Sequence, residues 1–284
     1  MNRTSFPRYL VRHLIRHQGT SPPFLASLVS DRLLERLQWV KLTPQRILDL
    51  GAGPHSTQES LQQRFPDADM IMLDLDAALL PNNPQESGFW SRWRQRPRQF
   101  SVVAQAPYLP FKSGSFSLIW ANLLLPWIDP ANVFAEVARL LAPGGMFLFS
   151  GYGPDTLREL RQAMTVLPHG KQRLAMFPDL HDLGDELVHA RLADPVMERE
   201  DLCIHYPDLT LLWHDLRALG PAPLPRPSGL LGRQSWQRMH QHYDQYREPQ
   251  GLPVTLEVII GQAWKPLPRT LPDGRSVIDI RTAH

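Results

Sequence analysis

Gly51 and Gly53 follow the apolar run Ile47-Leu48-Asp49-Leu50, and Asp74 closes a second run, Met70-Ile71-Met72-Leu73. Two glycines in a tight turn let the backbone come close to a ligand, and the helix expected next points unpaired N–H groups at the ligand's anionic part. An acid about twenty residues further on is placed to accept hydrogen bonds from both hydroxyls of a ribose. These types at this spacing describe a grip on a nucleotide-like cofactor. Each feature alone has a plainer reading: an ordinary strand-to-helix turn, and an N-cap for the next helix.

Such a turn works only where strands end on one edge of a sheet. The apolar patterning predicts strands at 46–50, 69–74, 100–104, 116–121 and 146–150, with helices at 25–37, 57–65 and 130–141 and a short one near Ala77. Val133, Phe134, Val137, Leu140 and Leu141 keep the helical period, and Ala142-Pro143-Gly144-Gly145 stops it. The polar, Pro-rich stretch 81–98 reads as a surface excursion. Strands alternating with helices imply parallel order and right-handed crossovers, a doubly wound Rossmann-like α/β fold.

Composition narrows the class. With 284 residues and 43% hydrophobic content the chain can bury one large core with an addition. A formal charge of +2 without long basic runs argues against nucleic acid. Cys203 is the only cysteine, which rules out an intrachain disulfide and a thiolate metal cluster and favours a reducing, cytoplasmic setting. No run of eighteen apolar residues occurs, so no membrane span is expected. Before Asp31 there is no acid, and Arg8, Arg12 and Arg16 fall on one helical face, read either as a docking surface or as a solvated face.

The successive motifs Ile47-Leu48-Asp49-Leu50-Gly51-Ala52-Gly53, Leu73-Asp74, Leu109-Pro110-Phe111-Lys112-Ser113-Gly114-Ser115-Phe116 and Leu140-Leu141-Ala142-Pro143-Gly144-Gly145-Met146 resemble class I S-adenosylmethionine-dependent methyltransferases. That resemblance implies a seven-stranded sheet ending in an antiparallel pair, with Val254–Ile260 as one of its strands. It implies S-adenosyl-L-methionine as cofactor, held by Asp49, Gly51, Gly53, Asp74, Gln105 and Asn122. Gln105 stands where an acid usually meets the adenine amino group, and its amide oxygen can accept the same bond.

A narrower similarity covers most of the remaining chain. Ala121-Asn122-Leu123-Leu124-Leu125-Pro126-Trp127, Phe149 to Arg161, His181-Asp182-Leu183-Gly184-Asp185, Ala193 to Met197 and Gly261 to Pro266 are similar to the malonyl-acyl-carrier-protein O-methyltransferases of biotin synthesis. Related proteins share the segment around Asp155-Thr156-Leu157 and include an arginine hydroxylase that assists assembly of respiratory complex I. The sequence departs from the family where Pro54 and His55 follow Gly53 in place of a further glycine, putting a bulky side chain in the cofactor turn. Three readings therefore stand: a methyltransferase, a non-catalytic partner-binding protein on the same fold, and a cofactor-dependent hydroxylase.

The implied chemistry moves a methyl group from a sulfonium to a malonyl carboxylate on an acyl carrier protein. A carboxylate with a reference pKa of about 4 is already ionised at neutral pH, so the protein must align and shield rather than deprotonate. Arginine suits the task because its planar fork binds a carboxylate through two bonds. The resemblance puts Arg161 first, with Tyr152 and His181 as supporting polar groups and Trp127 as an apolar wall. The bland alternatives are a solvent-facing Arg161, a helix-start pair at His181-Asp182 with Asp182 as cap, and a core role for Trp127.

No carboxylate-histidine spacing suggests a metal site, and neither a Walker loop nor an esterase elbow is present. The expected organisation is a helical segment over 1–40, a cofactor-binding core over 41–151, a substrate-covering region with sheet elements over 152–252, and a final strand and tail over 253–284.

Overall fold

The computed structural model describes residues 24–53, 57–80, 99–167, 174–218 and 232–268. Arg8, Arg12 and Arg16, Pro54 and His55, and the 81–98 excursion lie outside the described residues.

Five strands run parallel: β1 (Arg46–Leu50), β2 (Asp69–Asp74), β3 (Gln99–Val103), β4 (Phe116–Ala121) and β5 (Leu141–Tyr152). Two more, β6 (Ala193–Tyr206) and β7 (Leu252–Trp264), complete a seven-stranded sheet of order β3-β2-β1-β4-β5-β7-β6. β7 is antiparallel to both of its neighbours. The order reverses between β1 and β4, and open sheets of this kind bind ligands in the crevice at such a point.

The helices cover both faces. On one, α1 (Phe24–Leu37) buries Leu25, Val29, Leu33 and Leu37, one residue per turn, against a core that includes Ile47, Met72, Trp120 and Leu148. The short α2 (Gln58–Arg64) buries Leu61 in that core. On the other face, α3 (Pro130–Leu140) packs Phe134 onto Phe147 and Phe149, with ring centroids at 5.6 and 5.2 Å. Asp129 caps α3 by accepting from Ala131 N–H, and Pro130 starts it where a missing N–H costs nothing.

After β5 come α4 (Arg158–Ala163) and α5 (Leu180–His189), then α6 (Leu209–Ala218) and α7 (Arg233–Asp244) between β6 and β7. The 152–252 stretch is therefore woven into the sheet through the 14-residue β6, which pairs along β7 from Ala193↔Trp264 to Tyr206↔Leu252. α6 and α7 join the α1 core through Leu212, Leu216, Met239 and Tyr243.

Candidate active site

The five parallel strands deliver their carboxyl ends to one edge, and the polar groups singled out from the sequence follow those ends. β1 is buried from Ile47 to Leu50 on both faces, which leaves Asp49 as an acid inside an apolar strand, 2% exposed. Among the described residues its Oδ2 has no hydrogen-bond partner, nor does the buried indole Nε1 of Trp120, its in-register neighbour on β4. Burial, with a contribution from the charge of Asp74, pushes the Asp49 carboxyl up to about 7. A buried carboxyl oxygen without a partner is costly, and a cationic ligand could complete it.

The glycine turn follows. Gly51 and Ala52 both donate to the Leu73 carbonyl, at 2.8 and 3.0 Å, tying the end of β1 to the end of β2. Gly51 and Gly53 have φ of 75° and 62°, a region that glycine enters without strain. A Cβ at Gly51 would lie 2.8 Å from Leu124 Cδ1, whereas among the described residues nothing beyond its chain neighbours lies within 4 Å of one at Gly53. The turn is closed on its protein side at Gly51 and open at Gly53, as a cradle for a ligand requires.

Asp74 braces that cradle. Its Oδ2 accepts from Gly53 N–H at 2.9 Å and its Oδ1 from Leu75 N–H at 2.6 Å. Burial raises its pKa and the two backbone bonds oppose the rise. A carboxylate has about four acceptor positions, so two remain for ribose hydroxyls. Gln105, half-buried just beyond β3, accepts from Tyr108 N–H at its backbone carbonyl at 2.8 Å.

Asn122, expected to touch the cofactor, is held between α1 and β5. Its Nδ2 donates to the Ala26 carbonyl of α1 at 3.2 Å, and its Oδ1 accepts from Ser150 Oγ at 2.7 Å. Ser150 Oγ in turn accepts from Leu123 N–H at 2.9 Å and so holds Leu123 at a φ of 53°, which is strained for a branched side chain. With its amide engaged at both ends, Asn122 shapes the loop that presses Leu124 onto Gly51.

Tyr152 ends β5 and meets Phe177, and Arg161 on α4 reaches the same segment through Ala175 and Met176. Tyr152 is 4% exposed, its hydroxyl is buried without a partner among the described residues, and burial pushes the phenol far above its ordinary value. Its ring lies 5.4 Å from that of Phe177. The half-buried Arg161 donates through Nη2 to the carbonyls of Thr156 (3.3 Å) and Ala175 (3.1 Å) and through Nη1 to Met176 Sδ (3.3 Å). No ion pair engages it among the described residues, and desolvation lowers its pKa. Arg158 by contrast is exposed and bonded to Glu159 at 3.0 Å.

His181 does not join this group. It is exposed, and its backbone N–H donates to Asp179 Oδ1 at 2.8 Å as part of the start of α5. The cap is Asp179; Asp182 is its partner in a capping box, not the cap itself. Trp127 is partly buried at the end of the 3₁₀ turn Leu125–Trp127.

Sequence reasoning missed what aims Arg161. The turn from Gly153 to Leu157 is stitched to β7: Gly153 N–H and Thr156 Oγ1 donate to the Glu257 carbonyl, Asp155 N–H to Glu257 Oε2, and Leu157 N–H to the Thr255 carbonyl. The buried Glu159 accepts from Thr255 N–H at 2.9 Å and Thr255 Oγ1 at 2.6 Å. The partners lie about a hundred residues apart, so no local pattern announces them.

Comparison with known proteins follows this geometry. Residues 48–149 match a family model described as a methyltransferase domain. The chain is 38% identical over 253 residues to the malonyl-[acyl-carrier protein] O-methyltransferase of Gallionella capsiferriformans, spanning 88% of this chain and 87% of that protein. It is 38% identical to the protein of the same name from Laribacter hongkongensis, with the same coverage. Among solved structures the YcgJ protein of Bacillus subtilis shares the fold at a TM-score of 0.55 and 16% identity, over 83% of this chain and 99% of that one. The chain belongs to the malonyl-[acyl-carrier protein] O-methyltransferase family, enzymes that take their methyl group from S-adenosyl-L-methionine.

Proposed function

We propose that the protein methylates the free carboxylate of a malonyl group carried on an acyl carrier protein, a step of biotin synthesis, and that Arg161 holds that carboxylate. One observation carries the reading: among the described residues, the half-buried Arg161 guanidinium is fixed by two backbone carbonyls and engaged by no carboxylate. An arginine so placed is poised for an anion supplied from outside.

When bound, S-adenosyl-L-methionine supplies an electrophilic methyl group on a sulfonium. Asp49, Gly51, Gly53 and Asp74 fit it: an orphaned buried acid for its cationic end, an open cradle for its backbone contact, and free acceptor positions for its ribose. Arg161 fixes the substrate carboxylate so that one oxygen faces the methyl carbon. Tyr152 offers an O–H donor to the malonyl carbonyls, and its ring with Phe177 keeps water from the reacting carboxylate. No residue removes a proton, because the nucleophile is already ionised.

Incubating the purified protein with methyl-labelled cofactor and malonyl-carrier protein should give a labelled methyl ester, and acetyl-carrier protein should give none. Cofactor-bound, folded protein that leaves the malonyl carrier unlabelled overturns the reading.

A further inference from the structure

Asp155 and Arg161 are opposite charges on one short stretch of chain, and Asp155 acts electrostatically on Arg161. Yet the ion pair that Asp155 makes is with another residue. Its Oδ2 accepts from Arg199 Nη2 at 3.1 Å, while its backbone N–H is fixed by Glu257 Oε2 at 2.6 Å. Arg199 comes from β6, outside the turn, and its guanidinium also engages both oxygens of Asp201 at 3.0 Å and Glu257 Oε1 at 3.3 Å.

The other charges nearby are already paired or turned elsewhere. Arg158 is bonded to Glu159, whose carboxylate faces Thr255, and Glu257 is 1% exposed against the turn. Arg158 also feels the charge of Asp155, but among the described residues it is Arg199 that hydrogen-bonds the Asp155 carboxylate. An isolated surface ion pair would be too weak to hold that carboxylate, but this one is a network of three carboxylates anchored on a buried glutamate.

We propose that Arg199 is a positioning residue that holds the Asp155 carboxylate away from Arg161, leaving the Arg161 guanidinium available to the carboxylate of the substrate. The inference rests on the reading that Arg161 binds that carboxylate. A carboxylate tethered six residues away has a high effective concentration, so a released Asp155 would compete with substrate as an internal anion. Binding would suffer more than the methyl transfer that follows it.

Steady-state kinetics of Arg199→Gln, Arg199→Lys, Asp155→Asn and the double variant Arg199→Gln/Asp155→Asn test this, with Arg161→Ala run beside them. Arg199→Gln should raise KM for malonyl-carrier protein about tenfold with kcat within about twofold, Arg199→Lys should fall between it and the wild type, and cofactor Kd by calorimetry should stay unchanged. Removing the competing charge in the double variant should return KM to within about twofold of the wild type. General damage to the turn would not be rescued by Asp155→Asn, so a KM that stays raised in the double variant overturns the proposal, as does a wild-type KM in Arg199→Gln. Should Arg161→Ala raise KM while Arg199→Gln does not, this inference alone has failed. A wild-type KM in Arg161→Ala would remove the reading beneath it as well.

Discussion

The carboxyl group of Glu257 occupies the space that a side chain at residue 153 would need: a Cβ built on Gly153 would sit among Glu257 Cδ, Oε1 and Oε2, closer than real Cβ atoms come to anything. Glu257 cannot retreat easily, because Oε2 holds Asp155 N–H and Oε1 meets Arg199. The first turn of the segment that aims Arg161 is thus locked by the absence of one carbon atom.

Gly153→Ala should accordingly destabilise the protein by about 1–3 kcal/mol, the range for forcing an extra methyl group into a packed site. Thermal unfolding would show a lowered Tm. An unchanged Tm would mean that the turn and β7 are not in this contact.

Asp49 makes the apo protein sensitive to pH. Its carboxyl has a pKa of about 7 when folded against an ordinary value of 3.8, so between those values the folded state binds the extra proton. Stability from this group is therefore present at low pH and lost as pH rises through about 7. A bound cation favours the ionised acid, so cofactor affinity should rise across the same interval, with proton release on binding near pH 7. Calorimetry in two buffers of different ionisation enthalpy would measure that release, and Asp49→Asn should abolish it.

Asp74→Ala removes the acceptor for both Gly53 N–H and Leu75 N–H. Bonds to a charged acceptor are worth about 1.5–3 kcal/mol each, so cofactor affinity should fall at least tenfold while the sheet still folds. Titration of the variant with S-adenosyl-L-methionine checks this; wild-type affinity would show that the cradle does not depend on Asp74.

How much of this was legible varies with the range of the forces involved. β1, β2 and β4 carry near-continuous apolar runs because parallel strands are buried on both faces, and Asp129-Pro130 marks the start of α3 locally. β3 was placed one residue late, and β5 begins at Leu141, where Ala142-Pro143-Gly144-Gly145 read only as a helix stop. β6 went unplaced because, as an edge strand, it exposes Glu198, Arg199 and Asp201 and keeps no clear alternation. The same reasoning governs the site. Gly51, Gly53 and Asp74 were readable because their roles are set within one strand–turn–strand unit. That Glu257 and Thr255 hold the Arg161 turn, that Asn122 is spent on Ala26 and Ser150, and that Asp179 caps α5 all depend on partners or competitors that spacing does not reveal.

The central claim, that Arg161 holds the carboxylate which receives the methyl group, is tested most directly by comparing kcat/KM of the wild type and Arg161→Ala for malonyl-carrier protein at saturating cofactor. Losing a charge-assisted, two-bond contact should lower kcat/KM by about a hundredfold, with cofactor Kd unchanged. Equal kcat/KM in the two proteins would contradict the account.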